Sequence, residues 1–223
     1  MALPEIGFSY EIKALLPRLK LGILTASAVV GESPAGLKEE LNRIITDLEN
    51  ELDAQVIRDM PPVNAAKEAY KVLGKDPNRY RPAAESLLRR VSNGKGLFRI
   101  NNVVDSLNLV SLKTGFSICG YDLDKTEGDI QLGMGKMNEP YDGIGRGKLN
   151  IENLPVFRDG RGAFGTPTSD SVRTLIDEHT TNLLMLVPAF DGDDTCLNTA
   201  LEMLADFFER FTGSKKTEII YNG

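Results

Sequence analysis

The chain has 223 residues, of which 41% are apolar and 26% charged, with a formal net charge of −6. That is enough apolar surface for one substantial core and excludes disorder on a large scale. The acidic balance argues against a generic nucleic-acid coat protein while leaving room for a local basic patch.

The N-terminal stretch MALPEIGFSYEIK carries two acids where a secretory signal needs positive charge. The longest apolar run, LGILTASAVV from Leu21 to Val30, is about half the length that spans a bilayer. No membrane partner and a cytoplasmic location are therefore expected. The Thr, Val and Ile content of RLKLGILTASAVV reads as a buried strand. Ser33-Pro34 predicts a helix start, with Ser33 as N-cap and Pro34 at the first position. Leu37, Leu41, Ile44, Ile45, Leu48 and Leu52 then recur at helical spacing. Met60-Pro61-Pro62 reads as a break. A helix follows from about Asn64 to Leu73, stopped by Gly74, and another from about Ala83 to Val91, stopped by SNGKG.

These short helices carry a dense positive charge. Between 71 and 99 stand Lys71, Lys75, Arg79, Arg81, Arg89, Arg90, Lys95 and Arg99 against Asp76 and Glu85, a local +6. Two readings stand. One is a solvated helical face. The other is a phosphate-binding surface in which Arg79, Arg81, Arg89, Arg90 and Lys95 contact RNA.

From 101 to 115, NNVVDSLNLVSLKTG predicts a helix closed by Gly115. Short strands are expected over about 116–121, 129–133, 154–158, 163–166, 173–176 and 182–188, separated by glycine turns. GIGRG precedes no strong helix, so it is not a dinucleotide fingerprint. His179, in IDEHTTN, reads as an exposed loop residue. A long amphipathic helix runs from Cys196 to Phe211, and KKTEIIYNG predicts a last strand. Asp191, Asp193 and Asp194 lack the later glutamate of a calcium loop and read as the N-terminal cap of that helix. Cys119 and Cys196 form no CxxC pair, and only His179 could join them. They read as free thiols in a reducing compartment, with no metal site. Helices and strands mix without βαβ alternation. The fold class is therefore α+β, a mixed, mainly antiparallel sheet flanked by helices. One domain is expected over 1–223, with residues 1–95 packed on a core of 96–223.

Three stretches carry more specific information: RINNVVDSLNLVSLKTG (99–115), SICGYDLDKTEGDIQL (117–132) and RDGRGAFGTPTSDSVRTLIDEHTTNLLMLVPAF (158–190). In order and spacing they resemble the B3/B4 domain of the phenylalanyl-tRNA synthetase beta subunit. The specific parts are the helix with Asp105 and Asn108 and the turn Tyr121-Asp122-Leu123-Asp124-Lys125. The chain looks like a free-standing version of that domain. The resemblance implies proofreading, in which the ester between a tRNA 3′ end and a wrong amino acid, chiefly tyrosine, is hydrolysed. It implies tRNA as partner and an amino acid or aminoacyl ester as small ligand. No DNA partner and no cofactor are expected.

Carried over residue by residue, Asn108 matches the helix asparagine that lines the editing pocket. Leu107 stands where that family has threonine, and Cys119 where it has histidine. The strand glutamate that recognises a tyrosine hydroxyl has no counterpart among Leu183, Leu184, Met185, Leu186 and Val187. A buried tyrosine hydroxyl would lack an acceptor, so tyrosine is not the expected substrate. The loop Gly165-Thr166-Pro167-Thr168-Ser169-Asp170-Ser171, with Arg173, reads either as a capped turn or as a wall suited to a polar amino acid or an RNA terminus. The candidate ligand-binding set is Asn108, Cys119, Tyr121, Thr166, Thr168, Ser169, Asp170 and Arg173, with no catalytic residue assigned. Arg173 is also placed to hold Asp170. Cys119 reads as pocket lining or a small buried hydrophobe, because no nearby base could make it a thiolate. The functional expectation is a hydrolase that edits misacylated tRNA in trans. The alternatives are a non-catalytic tRNA- or amino-acid-binding module of the same fold and an interaction protein that has lost the site.

Overall fold

The computed structural model describes residues 3–214 and 217–223. It is α+β, built on two four-stranded sheets. The first has the order β1 (Ile6–Phe8), β4 (Ile130–Met134), β7 (Pro155–Asp159), β8 (Gly162–Gly165); β1 runs parallel to β4 and the other pairs are antiparallel. The second has the order β10 (Thr217–Asn222), β2 (Lys20–Ser27), β9 (Asn182–Ala189), β3 (Cys119–Asp122) and is antiparallel throughout. A short hairpin, β5 (Asp142–Gly143) and β6 (Gly147–Lys148), stands apart.

β9 explains the layering. Side chains alternate across a strand. Leu184 and Leu186 join the core shared by both sheets, while Leu183, Met185 and Val187 join a second core beneath the helices. A strand buried on both faces needs an unbroken apolar run, and NLLMLVPA supplies one. β2 divides in the same way, with Leu21 and Ile23 on one side and Leu24 and Ala26 on the other. Each such leucine taken fully out of water contributes about 2 kcal/mol.

The second core lies under α2 (Ala35–Glu51), α6 (Asn102–Thr114) and α7 (Asp194–Phe211). A third, smaller cluster of Ile57, Val63, Leu88, Val91 and Leu112 ties α6 to α3 (Ala54–Asp59), α4 (Pro61–Val72) and α5 (Ala83–Ser92). A one-turn helix, α1 (Tyr10–Leu15), buries Ile12 in the core between the sheets.

Several sequence expectations shift. Ser33 does not cap α2; Pro34 holds that position, and the Ser33 hydroxyl instead donates to Asp105 at 2.7 Å. Met60 breaks the chain between α3 and α4, as expected, but α4 begins at Pro61 and not at Asn64, because a proline in the first turn gives up no helical hydrogen bond. The strand expected over 173–176 is a single 3-10 turn, Val172–Thr174, capped by the Ser171 hydroxyl. β1, α1 and α3 are too short for periodicity to reveal. Asp193 does cap α7, accepting from the Cys196 N–H at 3.0 Å. Lys215 and Lys216, at the head of the expected last strand, lie outside the described residues.

Candidate functional site

The site is built where α5, α6 and β3 meet the turn after β8. α6 is set from both ends. The Asn101 side chain accepts from the Val104 N–H at 2.8 Å, and Gly115 closes the helix at φ +79°. Asn102 donates to the carbonyls of Val29 and Phe211, and Asp105 accepts from Ser33 and from the Ile100 N–H. These bonds lock α6 against β2 and α7, so the face carrying Val104, Leu107, Asn108 and Ser111 is held toward β3.

β3 approaches that face closely at Gly120. A Cβ there would sit 2.7 Å from Leu107 Cδ1 and 3.0 Å from Met185 Sδ. Only glycine admits this packing without a shift. Alternation then sends Cys119 and Tyr121 to the opposite side, into the core between the sheets. Asp122 is spent on the following turn, accepting from Thr180 Oγ1 at 2.7 Å and from the Asp124 N–H at 3.1 Å. Lys125 bridges Asp177 at 2.6 Å and the Leu175 carbonyl at 2.7 Å. Tyr-Asp-Leu-Asp-Lys is thus a brace that fixes the geometry around the cavity.

Residues 168–170 are held from behind by hydroxyls from distant parts of the chain. Tyr70 Oη lies 2.9 Å from Thr168 Oγ1, Tyr141 Oη donates to the Ser169 carbonyl at 2.6 Å, and Tyr121 Oη donates to Asp170 Oδ1 at 2.8 Å. The Gly120 N–H reaches Asp170 Oδ2 at 3.3 Å. Gly165 makes room for this arrangement, since a Cβ there would fall 1.8 Å from Tyr121 Oη. In front, the Ile144 N–H donates to the Asp170 carbonyl at 2.9 Å, tying the β5–β6 hairpin to the turn.

The resulting cavity has a volume of about 160 Å³. Ala83 and Leu87 of α5, Val104 and Leu107 of α6, and Ile118 and Ile176 give it aliphatic walls; Asn108, Ser111 and Asp170 are its polar groups. Burial pushes the Asp170 carboxyl up to about 7, against the hydrogen bonds from Tyr121 and the Gly120 N–H that pull it down. Burial, and then the charge of Asp170, push the Cys119 thiol well up, which leaves it without thiolate character.

Of the eight expected ligand-binding residues, Asn108 and Asp170 line this cavity. Cys119 and Tyr121 lie on the other face of β3, so the cavity wall at this point is Gly120. Thr166 and Thr168 are buried, and Thr168 is taken up by Tyr70. Ser169 presents its carbonyl to Tyr141. Arg173 does not hold Asp170. It forms a two-pronged pair with Asp159 at 2.9 and 3.0 Å and donates to the Gly162 carbonyl. The two ions of that pair suit each other's planar geometry, which is why Asp159 lies below the usual carboxylate range despite its burial.

The basic segment also separates into parts. Glu85 is fully buried and draws in Lys67 at 3.0 Å, Arg89 at 2.8 Å and Arg81 at 4.0 Å. Lys75 is buried on the carbonyls of Asn150 and Glu152. Arg79 and Lys95 are exposed. Arg90 stands three residues beyond Leu87, on the side of α5 that faces the cavity. Its guanidinium lies 4.1 Å from the ring centre of Phe98, which is 68% exposed. His179 is exposed in its turn, as read from sequence.

Tyr70 and Tyr141 carry no local signal of a part in this site, because their partners are distant in the chain; Gly165 belongs to the loop read as a possible wall, but its close approach to Tyr121 is not visible in the residue pattern. Ser111 was findable, being one helical turn from Asn108 on the same face.

An α+β scaffold whose small cavity sits between a helix face and a glycine-bearing strand defines the class. The B3/4 domain model matches residues 65–219, and the chain belongs to that family. Among solved structures, the chain is similar to an N-terminal fragment of the phenylalanyl-tRNA synthetase beta-subunit from Pyrococcus horikoshii. Identity is 12% over 98% of this chain and 54% of that one, with a TM-score of 0.49. The chain thus spans about half the length of that fragment. No curated protein matches it. Among the described residues no helix is long and apolar enough to cross a membrane, and no cluster of His, Cys, Asp or Glu is arranged to hold a metal ion.

Proposed function

We propose that the chain hydrolyses misacylated tRNA in trans, with the cavity between α5, α6 and β3 as its site. The observation that carries this reading is one small enclosure containing a carboxylate raised to about 7 and an amide, Asp170 and Asn108, with aliphatic walls around them. Membership of the B3/4 family supports it.

An aminoacyl ester is already activated, so little machinery is required. The carbonyl must be held, one water oriented, and the developing oxyanion given a donor. A carboxylate titrating near neutrality is suited to general-base work. Asp170 takes a proton from the water as its oxygen adds to the ester carbonyl carbon. The Asn108 amide donates to the carbonyl oxygen as it gains charge. The bond to the ribose oxygen then breaks and Asp170 returns the proton to that oxygen, leaving the free amino acid and the tRNA hydroxyl. Tyr121 and the Gly120 N–H act as positioning groups for the carboxylate. On the surface, Arg79, Arg90 and Lys95 meet the acceptor-end phosphates, and the Arg90–Phe98 stack offers an exposed face to a base. Arg81 and Arg89 contribute less to such contacts, because Glu85 holds both.

The test is a deacylation screen. Purified, folded protein is incubated with correctly and incorrectly charged tRNAs and loss of the ester is followed. Selective hydrolysis of one mischarged species is expected. A flat result across the panel would turn the reading to a non-catalytic binding module, which Leu107 at the cavity, in place of a hydroxyl residue, would then favour.

A further inference from the structure

We infer that Ser111 is the specificity-determining residue of the cavity, and that the cavity accepts a small hydroxylated aminoacyl group of serine or threonine size. The inference rests on the proposed site and names its substrate class.

The first observation is the behaviour of the hydroxyls along α6. Ser106 Oγ donates back to the Asn102 carbonyl at 2.7 Å, and Thr114 Oγ1 to the Val110 carbonyl at 2.8 Å. This is how a hydroxyl inside a helix ordinarily satisfies itself. Ser111 lies between them, is 1% exposed, lines the cavity, and makes no side-chain hydrogen bond among the described residues. The sealed, unpartnered side-chain atoms among the described residues are Glu85 Oε2, Arg90 Nε and Arg158 Nε, whereas Ser111 lines the cavity, so its free hydroxyl is available to what enters it.

The second observation is depth. Asn108, three residues earlier on the same face, is half-buried, whereas Ser111 is buried. Asn108 and Asp170 serve the ester end of the ligand, and Ser111 meets the side chain at the floor. Apart from Asn108, Ser111 and Asp170 the named walls are aliphatic, and Ser111 is the one of the three that is a hydroxyl. That is the arrangement that separates threonine from its isostere valine. A site built to bond a hydroxyl strongly rejects the analogue that lacks it.

The third observation is size. A cavity of about 150 Å³ in another protein holds benzene, so about 160 Å³ here suits a threonyl group of about seven non-hydrogen atoms and is small for a tyrosyl group. Leu107, Met185 and Ile176 close around Gly120 and leave no extension in that direction.

The test uses L-threoninamide and L-valinamide, titrated calorimetrically into the full chain and into Ser111→Ala. Alanine suits a helix interior, and thermal melts establish that the variant folds. Threoninamide is expected to bind the unaltered protein at least about 10-fold more tightly than valinamide, and the ratio should fall to about one in the variant. Equal binding, a preference for valinamide, a preference that survives S111A, or no binding of either amide would overturn the inference. A threoninamide preference lost in S111A, with no deacylation of any charged tRNA, would keep the inference and sink the hydrolase reading. Deacylation confined to valyl- or tyrosyl-tRNA would do the reverse.

Discussion

The turn at 166–171 has two unlike sides. Behind it, the hydroxyls of Tyr70, Tyr141 and Tyr121 each find an acceptor or partner on successive residues, and Phe157 and Phe164 pack edge-on against the Tyr121 ring. In front, Asn108 and Ser111 make no side-chain hydrogen bond among the described residues, and the walls are aliphatic. One side is polar and satisfied; the other is apolar with polar capacity to spare. Asp170 belongs to both, since Oδ1 is held from behind by Tyr121, Oδ2 accepts from Gly120 at the cavity wall, and burial raises its pKa. The contrast separates what builds the site from what uses it.

The largest effect is expected from breaking the back. Gly165→Ala drives a methyl into the Tyr121 hydroxyl, and neither the strand pair β7–β8 nor the buried tyrosine can move away freely. A loss of about 3 kcal/mol or more in denaturant unfolding is expected. A change under about 0.5 kcal/mol would show that the turn is not pinned.

Changing the front should act on rate more than on stability. Asp170→Asn is expected to slow deacylation by about 100-fold or more while the fold persists. It should also change how stability depends on pH. Because the folded pKa of Asp170 lies above its unfolded value, the folded state binds this proton more tightly. The stabilisation is complete below about pH 4 and is lost as pH rises through about 7. The variant lacks that loss, so its melting temperature relative to the unaltered protein should climb between pH 4 and pH 8. A gap that stays constant with pH would show that Asp170 titrates normally.

Linking the two sides, Tyr121→Phe removes the donor that holds the Asp170 pKa down. The midpoint of the pH–rate profile should move up by about one unit, with about 1 kcal/mol lost in stability. A purely structural role for Tyr121 would lower stability and leave the midpoint where it was.

The smallest effect concerns the surface. Arg90→Glu with Lys95→Glu should raise KM for charged tRNA several-fold, leave kcat near its starting value, and weaken the salt dependence of binding. Arg89→Glu is a poor probe of RNA contact because it removes a partner of the buried Glu85. If KM is unchanged in the Arg90/Lys95 pair, the tRNA approaches elsewhere.

Much of the scaffold could be read from residue patterns. The unbroken apolar run of β9 and the capped, glycine-closed α6 follow from local rules, and so does the amphipathic α7. Those rules fail where the partner is distant. Ser33 looks like a helix cap and instead bonds Asp105, seventy-two positions away. Arg173 lies near Asp170 in sequence but finds Asp159, because the 3-10 turn aims it across the β7–β8 hairpin. The resemblance puts Cys119 at the cavity wall, yet strand alternation turns it to the opposite core and leaves Gly120 in its place. Asn108 and Asp170, both named from the residue pattern, do line the cavity. The hold of the tyrosines on the turn is not legible in that pattern, since no local signal marks a hydroxyl whose acceptor lies far along the chain.

The most direct measurement is the pH–rate profile of deacylation for the unaltered protein beside Asp170→Asn, on the mischarged tRNA that the screen selects. The account predicts a rate that rises with pH to a plateau, with its midpoint near 7, and a variant slower by about 100-fold with that rise gone. Equal rates and matching profiles in the two proteins would contradict it and remove Asp170 from the chemistry.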